Sequence, residues 1–277
     1  MLKNLKVGLL QMTSIDDVDS NLKQIFKLLQ SIENQNVDVT FLPENCLYMR
    51  LKEGDVIPSM SLSHHSFQKL QVWVDTQNCQ LHLGSVPLMH NNKLCNATVW
   101  LRPHCEPEVS YVKVHLFDIE LEGQKPIKES DVFSRGERTS VIDVKGWKVG
   151  QSICYDLRFS ELYSIYAKLG VDLILVPAAF LVKTGEAHWE ILLRARAIES
   201  QCYVVASAQS GLHASQNGQR NTYGHSMIVG PWGEKLVEIP SGQMIQVFEL
   251  ESSRTESVRR QIPMKNHRRS TNLEPKE

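Results

Sequence analysis

The chain has 277 residues, of which 42% are hydrophobic and 22% are charged, and its formal net charge is −1 at pH 7. This length allows a sizeable core in one large layered domain or in two small ones. The 30 basic and 31 acidic residues leave no overall basic field, which argues against nucleic acid or an anionic membrane as the main partner. A small neutral or acidic ligand fits this composition better.

The cysteines and the N-terminal segment indicate the compartment. The longest uncharged apolar run near the N-terminus, residues 7–10, is far shorter than a signal-peptide core or a membrane-spanning helix. The 6 cysteines are widely spaced and form no C-x-x-C pair, which is typical of free thiols in a reducing compartment. We therefore expect a cytoplasmic protein, and the spacing leaves open whether one thiol is a nucleophile.

The first 44 residues predict a strand, a helix and a second strand. Residues 6–11 and 37–42 are short apolar runs with strand character. Between them, apolar residues recur at steps of three and four and so share one helix face: Leu22, Ile25, Leu29 and Ile32. This βαβ unit ends at Glu44.

The middle of the chain predicts a helix around residues 67–74, three strands near residues 81–86, 94–101 and 109–116, and a hairpin turn at residues 90–93. A second strand, helix and strand unit follows, with strands over residues 147–154 and 171–176. The helix between them carries Leu162, Ile165, Tyr166 and Leu169 and ends at Gly170.

The remaining pattern predicts a helix over residues 188–200, a strand over 202–208, a polar loop over 210–221 and strands over 223–229 and 235–239. Strands alternating with helices indicate an α/β fold with a mixed sheet, or a pair of sheets, and helices outside. We expect a single domain over residues 1–250, because no linker separates two halves. Residues 251–277 are polar and basic, and we expect a solvated tail or a strap between subunits.

Cys154 is the cysteine best placed for catalysis. It ends an apolar strand and precedes a polar segment that opens a helix, where backbone N–H groups can face a developing oxyanion. The helix dipole and a neighbouring cation would favour the thiolate. A buried structural cysteine is an equally good interpretation of this position alone.

Glu44 and Lys113 are two further candidates. Glu44 follows a strand directly, at the edge where ligands bind in open α/β sheets. Lys113 alternates with apolar residues along a strand, and each of the two residues taken alone is more commonly a surface residue. Together with Cys154 they supply the base, cation and nucleophile that attack on an amide or nitrile carbon requires. His115, a rival base, lies about 7 Å along the strand from Lys113.

The surroundings of these three residues, at 41–45, 111–118 and 153–159, resemble the signature segments of the nitrilase (carbon–nitrogen hydrolase) superfamily in the family's order. The resemblance extends from about residue 4 to about residue 273. It implies a four-layer α-β-β-α sandwich that forms a homodimer, with Glu44, Lys113 and Cys154 as the catalytic triad. It also implies a supporting role for Glu129.

Segments downstream of Cys154, at residues 177–180, 184–190, 193–199 and 223–227, resemble the deaminated glutathione amidase and ω-amidase branches. This implies a thiol amidase acting on a small acid amide, with deaminated glutathione as the leading substrate and α-ketoglutaramate next. A nitrilase, an N-carbamoyl hydrolase and a catalytically silent dimeric binding module remain alternatives.

Proximity to the motifs predicts an acyl pocket lined by Asn45, Tyr155, Phe180 and Thr184. The loop over residues 121–127 is individual to this chain, and we expect it to influence substrate choice. Arg194 and Arg196 either bind a substrate carboxylate or pair with Glu190 and Glu199 on their helix, which is the more common case.

We expect no metal and no cofactor. Cys95, His104 and Cys105 are too irregularly spaced for a structural zinc site. The glycines at 224, 230 and 233 do not form the frame of a phosphate-binding loop. The predicted chemistry needs only side chains of the protein.

Overall fold

A computed structural model describes residues 2–52, 54–120 and 126–269. The strands are β1 (Leu5–Gln11), β2 (Val39–Phe41), β3 (Gln80–His90), β4 (Lys93–Leu101), β5 (Glu108–Val112), β6 (Asp118–Ile119), β7 (Ile127–Lys128), β8 (Val141–Val144), β9 (Trp147–Gln151), β10 (Leu173–Leu175), β11 (Tyr203–Ala206), β12 (Ser210–Ala214), β13 (Gln219–Tyr223), β14 (Ser226–Val229), β15 (Lys235–Ile239) and β16 (Met244–Leu250). The α-helices are α1 (Val18–Leu29), α2 (His65–Gln77), α3 (Ser160–Leu169), α4 (Val182–Ser200), α5 (Ser252–Gln261) and α6 (Met264–His267). Short 3₁₀ helices cover Gln30–Ile32, Glu129–Asp131 and Cys154–Arg158.

The strands form two six-stranded mixed sheets with the same internal plan. The first sheet has the order β16-β1-β2-β3-β4-β5, and the second has the order β15-β14-β11-β10-β9-β8. In the first sheet β1, β2 and β3 run parallel, and in the second β9, β10 and β11 do so. The other pairings are antiparallel. The predicted hairpin between β3 and β4 is confirmed.

Alternating side chains on the strands bury three apolar layers. On β1, Val7 and Leu9 face the second sheet, where they belong to one core with Leu173 and Val205. Leu10 points the other way, into the core beneath α1 and α2. A third core lies between the second sheet and α3 and α4. The expected four-layer α-β-β-α sandwich is therefore confirmed.

Two helices show where periodicity predicted the buried face and where it did not. In α1, Asp17 caps the first turn by accepting a hydrogen bond from the Ser20 N–H at 2.7 Å, and the predicted apolar face is buried. In α3, Ile165 and Leu169 are exposed, contrary to the prediction. Leu162 and Tyr166 are buried as predicted, and Tyr163 and Ala167 are buried with them, so the buried face of α3 is displaced. Gly170 ends α3 with a positive φ of 69°, as expected.

The region after α4 corrects two predictions. Residues 210–221, predicted as a polar loop, contain the antiparallel hairpin of β12 and β13. The predicted continuous strand over residues 223–229 is interrupted at Gly224 and His225, which both have positive φ angles. The hairpin escapes a search for apolar alternation because its buried side chains are polar: Ser210, His213 and Thr222. Upstream, α4 begins at Val182 instead of near residue 188.

The basic C-terminal segment is helical over α5 and α6, where we expected a solvated tail or a strap. Arg259 on α5 hydrogen-bonds to the carboxylate of Asp172 and to the carbonyl oxygen of Gln201, both at 3.2 Å. These contacts fix α5 to the sandwich. Residues 270–277 lie outside the described residues, and the strap between subunits stays a prediction.

In the part of the chain that the structure describes, no helix combines the length and apolarity needed to cross a membrane. The same residues contain no group of three or more His, Cys, Asp or Glu side chains placed to hold a metal ion.

A buried histidine connects the two sheets. Nε2 of His82 on β3 lies 3.1 Å from Oε1 of Gln151 on β9, and its ring packs edge-on against Phe41 and Trp100. Burial lowers the pKa of His82 to about 4. The native state therefore holds this imidazole neutral at neutral pH.

We expect acidification to destabilise the fold through His82. The pKa of this imidazole is about 6.5 in the unfolded chain and about 4 in the native state. The contribution of the neutral ring to the free energy of unfolding is therefore complete above pH 6.5 and is lost as the pH falls towards 4. Between pH 7 and pH 5 this group removes about 2 kcal/mol of unfolding free energy.

Urea unfolding of the wild type and His82→Gln at both pH values measures the effect. The loss on acidification should be smaller in the variant, and an equal loss in both proteins would contradict the assignment to His82.

Candidate active site

The three predicted catalytic residues come from both sheets and meet at the carboxyl ends of their strands. Glu44 follows β2, Lys113 follows β5 and Cys154 follows β9. The strand predicted over residues 109–116 ends at Val112, and the one predicted over 147–154 ends at Gln151. The backbone N–H of Lys113 still donates to the carbonyl oxygen of Asn96 at 3.0 Å. Lys113 is therefore fixed beside the sheet although it is no longer in the strand.

The loop that carries Glu44 is fastened to β3. The N–H groups of Asn45 and Cys46 donate to the side-chain and backbone oxygens of Ser85, at 3.0 and 3.1 Å. Glycine is needed at position 84, because a Cβ atom there would lie 2.1 Å from the carbonyl oxygen of Leu42. This close approach fixes the direction in which Glu44 leaves the sheet.

Lys113 lies between two buried carboxylates. Its Nζ is 2.8 Å from Oε1 of Glu44 and 2.8 Å from Oε2 of Glu129, and its side chain is 2% exposed. Burial by itself would lower the pKa of Lys113, but the charges of Glu129 and Glu44 outweigh it and raise the pKa well above its usual value. The ammonium group is therefore a permanent, fixed cation, and Glu129 lies beside it as expected.

Asn96 completes this cluster, and the sequence reasoning missed it. Its Nδ2 donates to Oε1 of Glu44 at 3.1 Å and to Oε1 of Glu129 at 2.8 Å. Asn96 therefore holds the two carboxylates at a fixed separation around Lys113. The only signal in the sequence was a polar residue inside the apolar strand β4.

Cys154 occupies a strained backbone position. Its φ angle is +47°, a value that costs a residue other than glycine about 1–3 kcal/mol. Two hydrogen bonds hold the turn, from the Cys154 N–H to the carbonyl oxygen of Pro177 at 2.9 Å and from the Ile153 N–H to the carboxylate of Asp156 at 2.9 Å. The turn presents the sulfur to the cluster around Lys113.

The surroundings of Cys154 favour the thiol, whereas the helix dipole and the neighbouring cation considered from the sequence favour the thiolate. Burial and the charge of Glu44 raise the pKa of Cys154 well above its usual value, and the opposing effect of Lys113 is smaller. Glu44 and Cys154 line the same cavity, and Glu44 is near enough to act on the pKa of the thiol. The arrangement therefore places a proton acceptor near the nucleophile.

Asp156 is a second residue that the sequence reasoning missed. It is fully buried and accepts hydrogen bonds from the Tyr111 hydroxyl at 2.8 Å and from the His115 N–H at 2.9 Å. Nδ1 of His115 also lies 2.7 Å from this carboxylate, and its ring stacks on Phe159. His115 is thereby bound to a structural carboxylate, which argues against its role as a rival base.

One cavity joins the cluster to the predicted acyl pocket. Its lining includes the triad and Glu129 together with Asn45, Tyr155, Phe180 and Thr184. The Phe180 ring packs against Trp189 at 4.8 Å, and the Tyr155 ring packs edge-on against Phe117 at 5.0 Å. The structure brings all of these predicted residues together, and their contacts with a substrate stay predictions.

Three arginines that sequence reasoning did not select also line this cavity: Arg50, Arg158 and Arg220. The Arg158 guanidinium lies 5.2 Å from the centre of the Phe180 ring and 3.0 Å from Nδ1 of His188. The cavity wall is therefore positively charged. Arg158 stood within a recognised motif, but its side-chain direction could not be deduced from spacing.

Arg194 and Arg196 lie elsewhere. Arg194 pairs with Glu190 at 3.3 Å, and Arg196 pairs with Glu199 at 3.2 Å. Neither residue lines the cavity, so pairing on the helix is confirmed for both. Residues 121–125 of the loop expected to influence substrate choice lie outside the described residues, while Ile127 lines the cavity.

The amino-acid sequence matches one family profile and several known proteins along most of its length. The family profile described as carbon-nitrogen hydrolase matches residues 6–260. The nitrilase and fragile histidine triad fusion protein NitFhit of Drosophila melanogaster is 37% identical over 94% of this chain, which spans 56% of that protein. The deaminated glutathione amidase of Yersinia enterocolitica is 32% identical, and the match covers 97% of this chain and 94% of that protein.

The crystal structure of the Caenorhabditis elegans NitFhit protein superposes with a TM-score of 0.84 at 31% sequence identity. The superposition covers 98% of this chain and 66% of that one. The chain therefore spans between half and two thirds of the fusion proteins, and nearly all of the bacterial amidase.

Proposed function

This chain belongs to the carbon–nitrogen hydrolase family, and from that premise we propose that it hydrolyses the amide bond of a small acid amide through a thioester at Cys154. The observation that carries the proposal is the buried ion pair of Lys113 with Glu44 at 2.8 Å in the wall of the cavity that Cys154 also lines, with Glu44 close enough to the thiol to raise its pKa. A nucleophile with its proton acceptor and a fixed cation is what amide cleavage requires.

The first half of the reaction forms the thioester. Glu44 takes the proton of the thiol as Sγ attacks the amide carbon, so that a C–S bond forms. The Lys113 ammonium and the backbone N–H of Tyr155 stabilise the negative charge on the oxygen of the tetrahedral intermediate. Glu44 then gives the proton to the amide nitrogen, the C–N bond breaks and the amine leaves.

The second half releases the acid. A water molecule gives a proton to Glu44 as its oxygen attacks the thioester carbon, with Lys113 again stabilising the oxyanion. The C–S bond breaks, and the proton returns from Glu44 to the sulfur. Glu129 and Asn96 keep Lys113 and Glu44 in place throughout.

The proposed substrate is deaminated glutathione. The names of the relatives in Yersinia enterocolitica and Mus musculus support this choice, and the latter is 34% identical over 95% of this chain. The positively charged wall supports an acidic amide over a neutral one. Arg158, which lies on the turn that begins with Cys154, is suited to bind the carboxylate of the acyl half.

A substrate panel tests the proposal. Purified protein is incubated with deaminated glutathione, α-ketoglutaramate, an aliphatic nitrile and an N-carbamoyl amino acid, and the released dipeptide or ammonia is measured. We expect the highest kcat/KM for deaminated glutathione. Preference for the nitrile or the carbamoyl compound would replace the amidase assignment, and absence of release from every compound would favour a silent binding module.

The protein is also proposed to form a homodimer. Apolar side chains are exposed on the outer face of α3 and α4 and on the turn beside it: Ile165, Leu169, Ile191, Ile198 and Trp232. Ile191 and Ile198 are seven residues apart and so share one face of α4. The resemblance in sequence implies a dimer, and this apolar face is the surface that we assign to the second copy.

Sedimentation of Ile191→Glu tests the dimer. A buried glutamate would have to lose its hydration in the interface, so we expect the variant to be monomeric at a concentration where the wild type is dimeric. Val72→Glu is the matched control, because Val72 on α2 is 66% exposed and Ile191 is 70% exposed. A monomeric wild type, or equal sedimentation of the two variants, would contradict the assigned face.

We also propose a cytoplasmic location. All six cysteines are free thiols, and Cys105 is the exposed one. Unpaired thiols throughout a chain are typical of a reducing compartment, which supports the proposal.

A further inference from the structure

Arg220 projects into the cavity from the β12–β13 hairpin. On β13 the buried Thr222 is two residues further along and therefore on the same face, whereas Gln219 and Asn221 are exposed on the opposite face. Arg220 stands opposite His213 in the register of the hairpin. This inward direction agrees with the place of Arg220 in the lining of the cavity that holds Cys154.

The hairpin is attached to the protein on both sides of Arg220. The Tyr223 N–H donates to the carbonyl oxygen of Phe180 at 2.9 Å, and Nδ2 of Asn217 donates to the carboxylate of Asp16 at 2.6 Å. Arg220 therefore extends from a fixed support, and less side-chain ordering is required when a ligand binds.

No acidic side chain among the described residues pairs with Arg220. Among the described residues, no hydrogen bond or ion pair joins its guanidinium to a carboxylate. Other arginines of the fold are paired, such as Arg254 with Glu234 and Arg259 with Asp172. A guanidinium in a cavity wall presents two parallel N–H donors that match a carboxylate.

Arg158 and Arg220 approach the cavity from different elements. Arg158 ends the 3₁₀ helix that begins with Cys154, whereas Arg220 belongs to the separate hairpin. A small acid amide has two halves that leave the scissile bond in opposite directions. Two separated arginines thus fit two carboxylates, one on each half.

We propose that Arg220 binds a carboxylate on the leaving group of the amide. The preferred leaving group is then an amino acid or short peptide with a free C-terminal carboxylate, and not ammonia. This inference rests on the proposed amidase function, which it deepens by assigning the leaving-group side of the site.

Binding to an inactive protein tests the inference without turnover. The Cys154→Ala variant is titrated by calorimetry with deaminated glutathione and with the same compound whose terminal carboxylate is converted to an amide. We expect the amidated compound to bind about tenfold or more weakly, since a charge-assisted contact to the carboxylate is lost. In Cys154→Ala/Arg220→Gln the two compounds should bind within about twofold of each other.

Two further variants control for charge and folding. Arg220→Lys keeps the charge and should retain part of the preference for the free carboxylate. Arg260→Gln removes an exposed positive charge outside the cavity lining and should leave the preference intact. Thermal melting of each variant shows whether the hairpin substitution has disturbed the fold.

The inference would be overturned if the preference for the free carboxylate over the amidated compound were the same with and without Arg220. It would also be overturned if Arg220→Gln weakened the binding of both compounds equally. Turnover by the wild type is measured separately. If the wild type cleaved no amide while the Arg220-dependent preference persisted, the proposed function would fail and only the binding of the terminal carboxylate by Arg220 would stand.

Discussion

Replacing Cys154 with alanine is expected to lower kcat for amide hydrolysis by about 10⁴-fold or more, because the proposed mechanism forms its thioester on this sulfur. The fold should tolerate the change. Alanine and cysteine meet the same restriction at a φ of +47°, and the backbone hydrogen bond to Pro177 does not involve the side chain. Steady-state assays with deaminated glutathione, together with thermal melting, measure both consequences.

Cys105→Ala is the matched control for the loss of a thiol. Cys105 is exposed and does not line the cavity, so its substitution should not change turnover. Mass spectrometry of the wild type quenched during turnover should show the acyl group on the peptide that contains Cys154. Unchanged hydrolysis by Cys154→Ala would refute the thiol mechanism.

Replacing Lys113 with methionine is expected to remove most activity and also to destabilise the protein. Methionine fills a similar volume but leaves Glu44 and Glu129 buried without their counter-charge. Loss of one partner from a buried ion pair costs about 3–5 kcal/mol, and loss of an oxyanion contact costs about 10²–10³-fold in kcat. Urea unfolding and kcat measurements test the two effects independently.

A second substitution separates electrostatics from packing. In Lys113→Met/Glu129→Gln one of the two carboxylate charges is gone, so part of the lost stability should return while activity stays low. Lys93→Met, at an exposed position on β4, measures how much a lysine-to-methionine change alone alters stability and activity. Equal stability of Lys113→Met and the wild type would show that the buried ion pairs do not contribute as the geometry indicates.

The sequence allowed most of the strand and helix plan to be predicted, because apolar periodicity records which face of an element is buried. The βαβ unit ending at Glu44 is an example. The β12–β13 hairpin was not predictable in this way, since its inward residues are polar and bind one another, as His213 and Thr222 do at 2.7 Å. The pairing of two sheets across a common core is likewise not visible in local periodicity.

The candidate catalytic cluster was predictable only in part. Glu44, Lys113 and Cys154 stand directly after strands or within motifs, and the resemblance of three segments singled them out. Asn96 and Asp156 act through hydrogen bonds to partners distant in sequence, with 52 residues separating Asn96 from Glu44. The raised pKa of Cys154 depends on burial and on the nearby Glu44 carboxylate, which spacing along the chain does not reveal.

The division of the triad between two sheets has a consequence during biosynthesis. Glu44 and Lys113 belong to the first sheet and Cys154 to the second, and the sheets are joined by the core around Val7, Leu173 and Val205. A partly folded chain with one finished sheet would hold either a sulfur without its base or a base without its sulfur. The nascent polypeptide therefore lacks the complete cluster until the two sheets pack together, so that amide cleavage requires the finished native state.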